Sequence, residues 1–199
     1  MRSWKWAVRG LSPPREHGPR KPPYVDSGKA TGELWGLSDT GDSTARMERM
    51  WRVEAFLTEY AHAIDDDDLE RWPDFFSEDA IYRVISRESY DAGHTVAILS
   101  CHGRGMMSDR IRALRQANIF EAHRYCHLLG RSTVTEENNR LQVRTNFTVV
   151  RTMYDGASDL FVSGAYLDEM NDDDGKLTLR RRDVVLDSRR VDTLLVIPL

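Results

Sequence analysis

"RLQVRTNFTVV", residues 140–150, decides the fold. Leu141, Val143, Thr145, Phe147 and Val149 alternate with Gln142, Arg144, Asn146 and Thr148, a period of two that marks a strand with one buried face. The stretch before it, "HRYCHLLGRSTVT" (123–135), is also rich in β-formers, and "EENN" (136–139) between them has turn composition. Downstream, "YDGAS" and "NDDDG" are further turns, bracketing "DLFVSGAYLDEM" (159–170) and leading into "KLTLRRRDVVLD" (176–187). The alternation in this last strand slips near Arg181–Asp183, which predicts a bulge. The C-terminal half therefore reads as a long antiparallel meander.

The N-terminal half has a different period. Met47, Met50, Val53, Glu54, Leu57, Tyr60, Ala61 and Ile64 fall three and four residues apart, with Ser43 or Thr44 as N-cap and an end near Ile64. Asp66 to Asp68 suit the positive end of a short second helix, in which Pro73 fits only the first turn or a kink. "AIYRVIS" (80–86) is a strand, "TVAILSC" (95–101) a short second one, and "GMMSDRIRALRQA" (105–117) a third helix. Helices grouped ahead of strands predict an α+β fold, not an alternating α/β one. Three N-terminal helices packed on one strongly curved, mostly antiparallel sheet make a cone with a pocket between the layers.

Composition narrows the classes of function. The chain has 199 residues, 40% hydrophobic and 30% charged, which suits one globular domain plus some excess. Its net charge of −4 argues against nucleic acid, which calls for a basic surface. No apolar run approaches the roughly 20 residues needed to span a bilayer. Cys101 and Cys126 are too few for a disulfide framework and fit a reducing cytoplasm. Residues 1–46 carry eight Lys/Arg against five Asp/Glu, and five of the seven prolines lie within 13–23. Such a segment buries too little to offset its ordering entropy, so residues 1–45 read as a disordered extension and 46–199 as the cone domain. Trp4, Trp6 and Trp35 are unusual there, and an upstream start ahead of Met47 or Met50 is the competing reading.

The chemistry candidates are few. In "HRYCH" (123–127), His123, Tyr125 and His127 share one strand face and Arg124 and Cys126 the other. The two histidines are then about 13 Å apart at ~3.3 Å per residue, too far for one zinc ion with bonds of about 2 Å. Asp172, Asp174 and Gly175 resemble the start of a calcium loop, but in that register Met170 and Arg181 occupy positions that demand acids, and a hairpin turn explains the glycine better. "DDDDLERWPDFF" lacks the required glycine. "GRGMMS" (103–108) matches no phosphate loop, and no GxSxG is present. A diffuse acid/base pocket remains, in which Asp66, Tyr82, His123, His127 and Arg144 would face the cone cavity and a histidine beside a carboxylate would act as base. Buried, satisfied polar residues are the preferred reading of that set.

"FLTEYAHAIDDDDLERWPDFFSEDAIYRV", "SDRIRAL", "HRYCHLLG", "VRTNFTVVR", "FVSGAYLDEM" and "LRRRDVVLD" together resemble, in order, the small (β) subunit of Rieske-type aromatic-ring-hydroxylating dioxygenases. The likeness covers residues 47–199. The family's Arg-x-Arg-His falls on Arg124, Cys126 and His127, with Cys126 in place of the second arginine. Asn146, Phe147 and Arg151, Gly164 and Asp168, and Arg182, Val184, Leu186 and Asp187 match its remaining positions. "SRESYDAGH" (86–94), "RGMMSDRI" and "NIFEAHRY" are similar to the branch acting on aromatic carboxylates such as terephthalate, anthranilate or salicylate.

The resemblance implies a nuclear-transport-factor-2-like cone in an α3β3 assembly. It implies a Rieske [2Fe–2S] cluster and a mononuclear iron in the partner α subunit, and a β subunit that is structural, cytoplasmic and without catalytic, cofactor or metal residues of its own. The alternative is a stand-alone dehydratase or isomerase of the scytalone dehydratase or polyketide cyclase type. The cone interior separates the two: filled by apolar side chains in a scaffold, open with converging His, Asp and Tyr in a dehydratase.

Overall fold

In the computed structural model, which describes residues 40–94, 96–117, 121–188 and 195–199, the element order matches the change of period along the chain. Helix α1 (Thr40–Asp65) is followed by a 3₁₀ helix (Leu69–Phe75), strand β1 (Phe76–Ser86), a short helix α2 (Arg87–Asp91), β2 (Leu99–His102) and α3 (Arg104–Ala117). Among the described residues five strands follow: β3 (His123–Leu129), β4 (Thr133–Glu137), β5 (Arg140–Met153), β6 (Ser158–Asp173) and β7 (Lys176–Leu186). They form one seven-stranded sheet in the order β2-β1-β7-β6-β5-β3, with β4 also on β5. Every pair is antiparallel except β1 with β7. The fold is the α+β cone.

Several local readings shift. Residues 1–39, with Trp4, Trp6 and Trp35, lie outside the described residues, but α1 already runs from Thr40, so Ser43 and Thr44 stand inside it and not at its cap. The second helix is a 3₁₀ turn, because Pro73 within seven residues leaves no room for an α-helical ladder. Its approach is held by Arg115 of α3, which donates to both carboxylate oxygens of Asp67 at 2.9 Å and to Glu70 at 2.9 and 3.0 Å. Arg115 holds the Glu70 carboxyl below its ordinary pKa. "HRYCHLLGRSTVT" is two strands, since pairing with β5 ends at Leu129 and resumes at Thr133. Helix α2 in "RESYD" is too short for periodicity to reveal; the Ser86 side chain caps it, accepting from Ser89 N.

The two tightest turns follow their residues. Asn138 and Asn139 both take positive φ (51° and 61°), as do Asp174 and Gly175 (50° and 91°), the backbone of a two-residue hairpin. The acids of "NDDDG" therefore serve a β6–β7 hairpin.

The bulge expected near Arg181–Asp183 falls one residue earlier. Glu169 pairs with Arg181 and Met170 with Leu179, so Arg180 is the extra residue. That insertion switches the parity of β7. Leu177 and Leu179 point inward before it, and Arg182, Val184 and Leu186 point inward after it.

Gly164 is fixed by crowding. A Cβ built there would lie 2.2 Å from the backbone oxygen of Val185 on β7. Because the obstacle is backbone, the strands must part. Gly164→Ala is expected to destabilise by more than about 3 kcal/mol, above the usual range for overpacking. Urea unfolding of the purified variant measures it; a loss under about 1 kcal/mol would show that β6 and β7 can yield.

Candidate functional site

The inward face of the sheet and the helices enclose one continuous core, and its centre is polar. Arg182 and Asp168, both wholly buried, form a bidentate pair at 2.8 and 2.7 Å across β7 and β6. The guanidinium lies 4.0 Å from the ring centroid of Tyr60 and 4.2 Å from that of Tyr166. Phe147 stacks on the latter at 4.1 Å. Burial opposes the charge on Arg182, but the Asp168 carboxylate beside it more than offsets that and raises its pKa.

Beside this pair, Trp72 Nε1 donates to Tyr60 Oη at 2.8 Å, and Tyr60 in turn donates to the main-chain oxygen of Leu199 at 2.8 Å. Tyr82 donates to the same oxygen at 3.2 Å and accepts from Leu199 N at 3.0 Å. Burial pushes the Tyr60 and Tyr82 phenols up, which keeps both hydroxyls protonated. Arg110 of α3 donates to the carbonyls of Leu195 and Val196 at 2.5 and 3.1 Å. Leu195, Val196, Ile197 and Leu199 are at most 7% exposed and belong to the core. Leu195–Leu199 thus pack inside the cone against the two tyrosines.

The five residues proposed for an acid/base pocket do not converge. Tyr82 is buried and engaged with Leu199. Asp66 is exposed on the turn after α1, and Arg144 is exposed on the outward face of β5. His123 is half-buried near the start of β3, its Nδ1 2.7 Å from Glu121 O. His127 is buried, its Nδ1 2.6 Å from Asp65 Oδ1, while its backbone N–H donates to Asp65 Oδ2 at 2.7 Å. The carboxylate beside a histidine is therefore Asp65, not Asp66. It ties the end of α1 to β3.

Three strands separate β3 from Tyr82 on β1, roughly 19 Å along the sheet at about 4.8 Å per step. The "HRYCH" parity holds: His123, Tyr125 and His127 turn inward, Tyr125 stacking on Phe161 at 5.2 Å, and Cys126 is exposed. Among the described residues no three His, Cys, Asp or Glu side chains group closely enough to hold a metal ion. The buried centre, Asp168 and Arg182 with Tyr60 and Trp72, was outside that candidate set. Its signal was a charge at inward strand parity.

The class these observations define is an α+β cone-fold protein whose core takes in Leu195–Leu199. The family model described as "Ring hydroxylating beta subunit" matches residues 59–193. The β 2 subunit of the terminal oxygenase component of terephthalate 1,2-dioxygenase from a Comamonas species is 41% identical over 149 residues, 74% of this chain and 97% of that protein. The anthranilate 1,2-dioxygenase small subunit of Burkholderia cepacia is 33% identical, covering 78% and 98%. A crystal structure of a Novosphingobium aromaticivorans β subunit ascribed to an aromatic-ring-hydroxylating dioxygenase superposes with a TM-score of 0.71 at 32% identity, over 78% of this chain and 99% of that one. This chain belongs to the ring-hydroxylating dioxygenase β-subunit family. A scytalone-dehydratase-type protein of the same organism, 14% identical with a TM-score of 0.57, shares the fold alone.

Proposed function

We propose that this chain is the non-catalytic scaffold of an aromatic-ring-hydroxylating dioxygenase. It stabilises a large-subunit core that dihydroxylates an aromatic carboxylate with electrons from NAD(P)H. The assembly is an α3β3 hexamer in the cytoplasm, and the Rieske [2Fe–2S] cluster and the mononuclear iron belong to the α subunit. One observation carries the scaffold reading: Leu195–Leu199 occupy the cone and engage both Tyr60 and Tyr82. A dehydratase needs that space for substrate. The carboxylate class is supported by the terephthalate and anthranilate enzymes among the relatives.

Co-expression with a large subunit encoded beside it tests this. The expected outcome is a hexamer by native mass, iron only when the large subunit is present, and substrate-dependent oxygen uptake by the complex alone. A purified chain that dehydrates a hydroxylated aromatic unaided would overturn the reading.

A further inference from the structure

Large apolar side chains stand exposed on the outward face of the sheet at β3, β5 and β6, and strand register brings them together. Cys126 of β3 lies opposite Val150 of β5, which lies opposite Leu160 of β6, because the extra residue Phe161 shifts the β6 ladder there. Leu128 faces Thr148 in the next row. The β3–β5 ladder runs one residue beyond β5, Tyr154 N–H donating to Ala122 O at 3.1 Å, so Tyr154 keeps the parity of Val150 and Thr152. Tyr154 is 89% exposed, Leu160 66% and Leu128 56%, and Cys126 is exposed among them.

The charges of this face are arginines. Arg124 shares a row with Thr152 and Ser158, and Arg144 shares one with Thr133 and Leu167. Both are exposed, and neither makes an ion pair with another described residue. Between those two rows no carboxylate stands at outward parity on the three strands. Asp159 has the inward parity and pairs with Arg151 at 2.9 Å. On β7 next door, Asp183 is held by Arg83 at 2.8 Å and Asp187 by Arg87 at 2.9 Å. At the two ends, Glu169 is taken by Arg140 and Arg180, Asp155 accepts from Ala157 N at 2.9 Å, and Glu121 stands beyond the last paired row.

We infer that this face docks an acidic, aliphatic segment of the dioxygenase's large subunit. Apolar side chains cover Leu128 and the row Cys126–Val150–Leu160, and carboxylates reach Arg124 and Arg144. The inference rests on the proposed function, since it takes the large subunit as the partner. From Arg144 to Tyr154 the face is roughly 34 Å long at ~3.4 Å per residue and about 10 Å wide across two strand steps. Two copies meeting on such a face alone would bury roughly 700 Å² in total, short of the ~1,200 Å² that a stable specific contact takes. They would also set arginines against arginines, which like charge opposes. As one anchor of a larger contact between unlike subunits, the face meets neither objection.

Cys126 makes the face readable, because the chain's other cysteine, Cys101, is buried. Iodoacetamide labelling of the full-length parent, followed by peptide mass, is expected to be at least tenfold slower at Cys126 in the complex with the large subunit than in the chain alone. This footprint needs no substitution, so it decides even where a variant fails to fold. Binding to immobilised large subunit at two salt concentrations then compares the parent with Leu128→Asn plus Leu160→Asn and with Arg124→Gln plus Arg144→Gln. Thermal melts of each chain check folding. The apolar pair of changes should weaken binding at least tenfold at both salt concentrations. The arginine pair should weaken it at low salt and remove most of its salt dependence. If the parent binds while Cys126 labels at its former rate, or while either folded variant binds as well as the parent, the docking face is wrong and the functional reading stands. Absence of parental binding would sink the functional reading itself. Protection of Cys126 in the chain alone that vanishes on dilution would assign the face to a second copy, and protection that persists would mean that the chain covers it; either overturns the inference.

Discussion

Deleting Leu195–Leu199 is expected to abolish the cooperative thermal transition of the domain. Each fully buried Val, Leu or Ile contributes about 1.5–3 kcal/mol, and four such side chains leave the core together. The ordering entropy regained by five residues, about 1–2 kcal/mol each, offsets much of that sum. The consequences inside the cone are not offset. Tyr60 and Tyr82 lose their partner oxygen, and a cavity opens between sheet and helices. A domain whose total stability is of order 5–15 kcal/mol does not withstand this. Leu199→Ala, the milder variant, should cost about 2–5 kcal/mol, a fall of roughly 4–20 °C in melting temperature. Calorimetry and near-ultraviolet circular dichroism measure both; a truncated chain that melts sharply within a few degrees of the parent would show that the segment is a loose tail.

The second large effect lies at the buried ion pair. Asp168→Ala leaves the Arg182 guanidinium charged among Tyr60 and Tyr166 with no anion, and about 3–5 kcal/mol should be lost. Arg182→Lys should cost nearly as much, because an ammonium can neither form the two-pronged contact nor lie flat between two rings. The double change Asp168→Leu with Arg182→Met should recover most of the loss, since it removes both charges and keeps the volume. Urea unfolding of Asp168→Leu alone, Arg182→Met alone and the double variant closes the thermodynamic cycle. If the double variant loses as much as the two singles added together, the pair contributes no coupling and the argument fails.

Much of the fold was legible because its signals are local. The alternation of Leu141 to Val149 identifies β5 and its inward face, and the three- and four-residue spacing from Met47 to Ile64 identifies α1. Family register also singled out Gly164, Asp168 and Arg182, though not what they do. The charges at Asp168 and Arg182 were readable in part. Asp168 stands at the parity of Val162, Gly164 and Tyr166, where a carboxylate must be buried and paired. Arg182 joins that parity only because Arg180 is extruded, and a one-residue insertion on one strand depends on its neighbour's register. Arg144 illustrates the converse, since its parity in β5 already placed it opposite the core. Asp65 was hidden because the end of a helix moves by a residue at little cost, and that residue decides which carboxylate meets His127. The closure of the cone by "LVIPL" left no trace, as five residues carry no period and their partners come from three distant elements.

The one parallel contact in the sheet sets a schedule for folding. β1 has β7 as its inner neighbour, and the Arg83–Asp183 pair joins residues 100 positions apart in the chain. At about 5–20 residues per second, a ribosome takes some 5–20 s to make that interval, during which β1 can pair only with β2 and its β7 edge stays open. Pairing over such a separation is also slow once the chain is complete. The nascent chain therefore passes through a stage in which its first strand is sticky and its last is unmade, and that interval is when a chaperone would matter most.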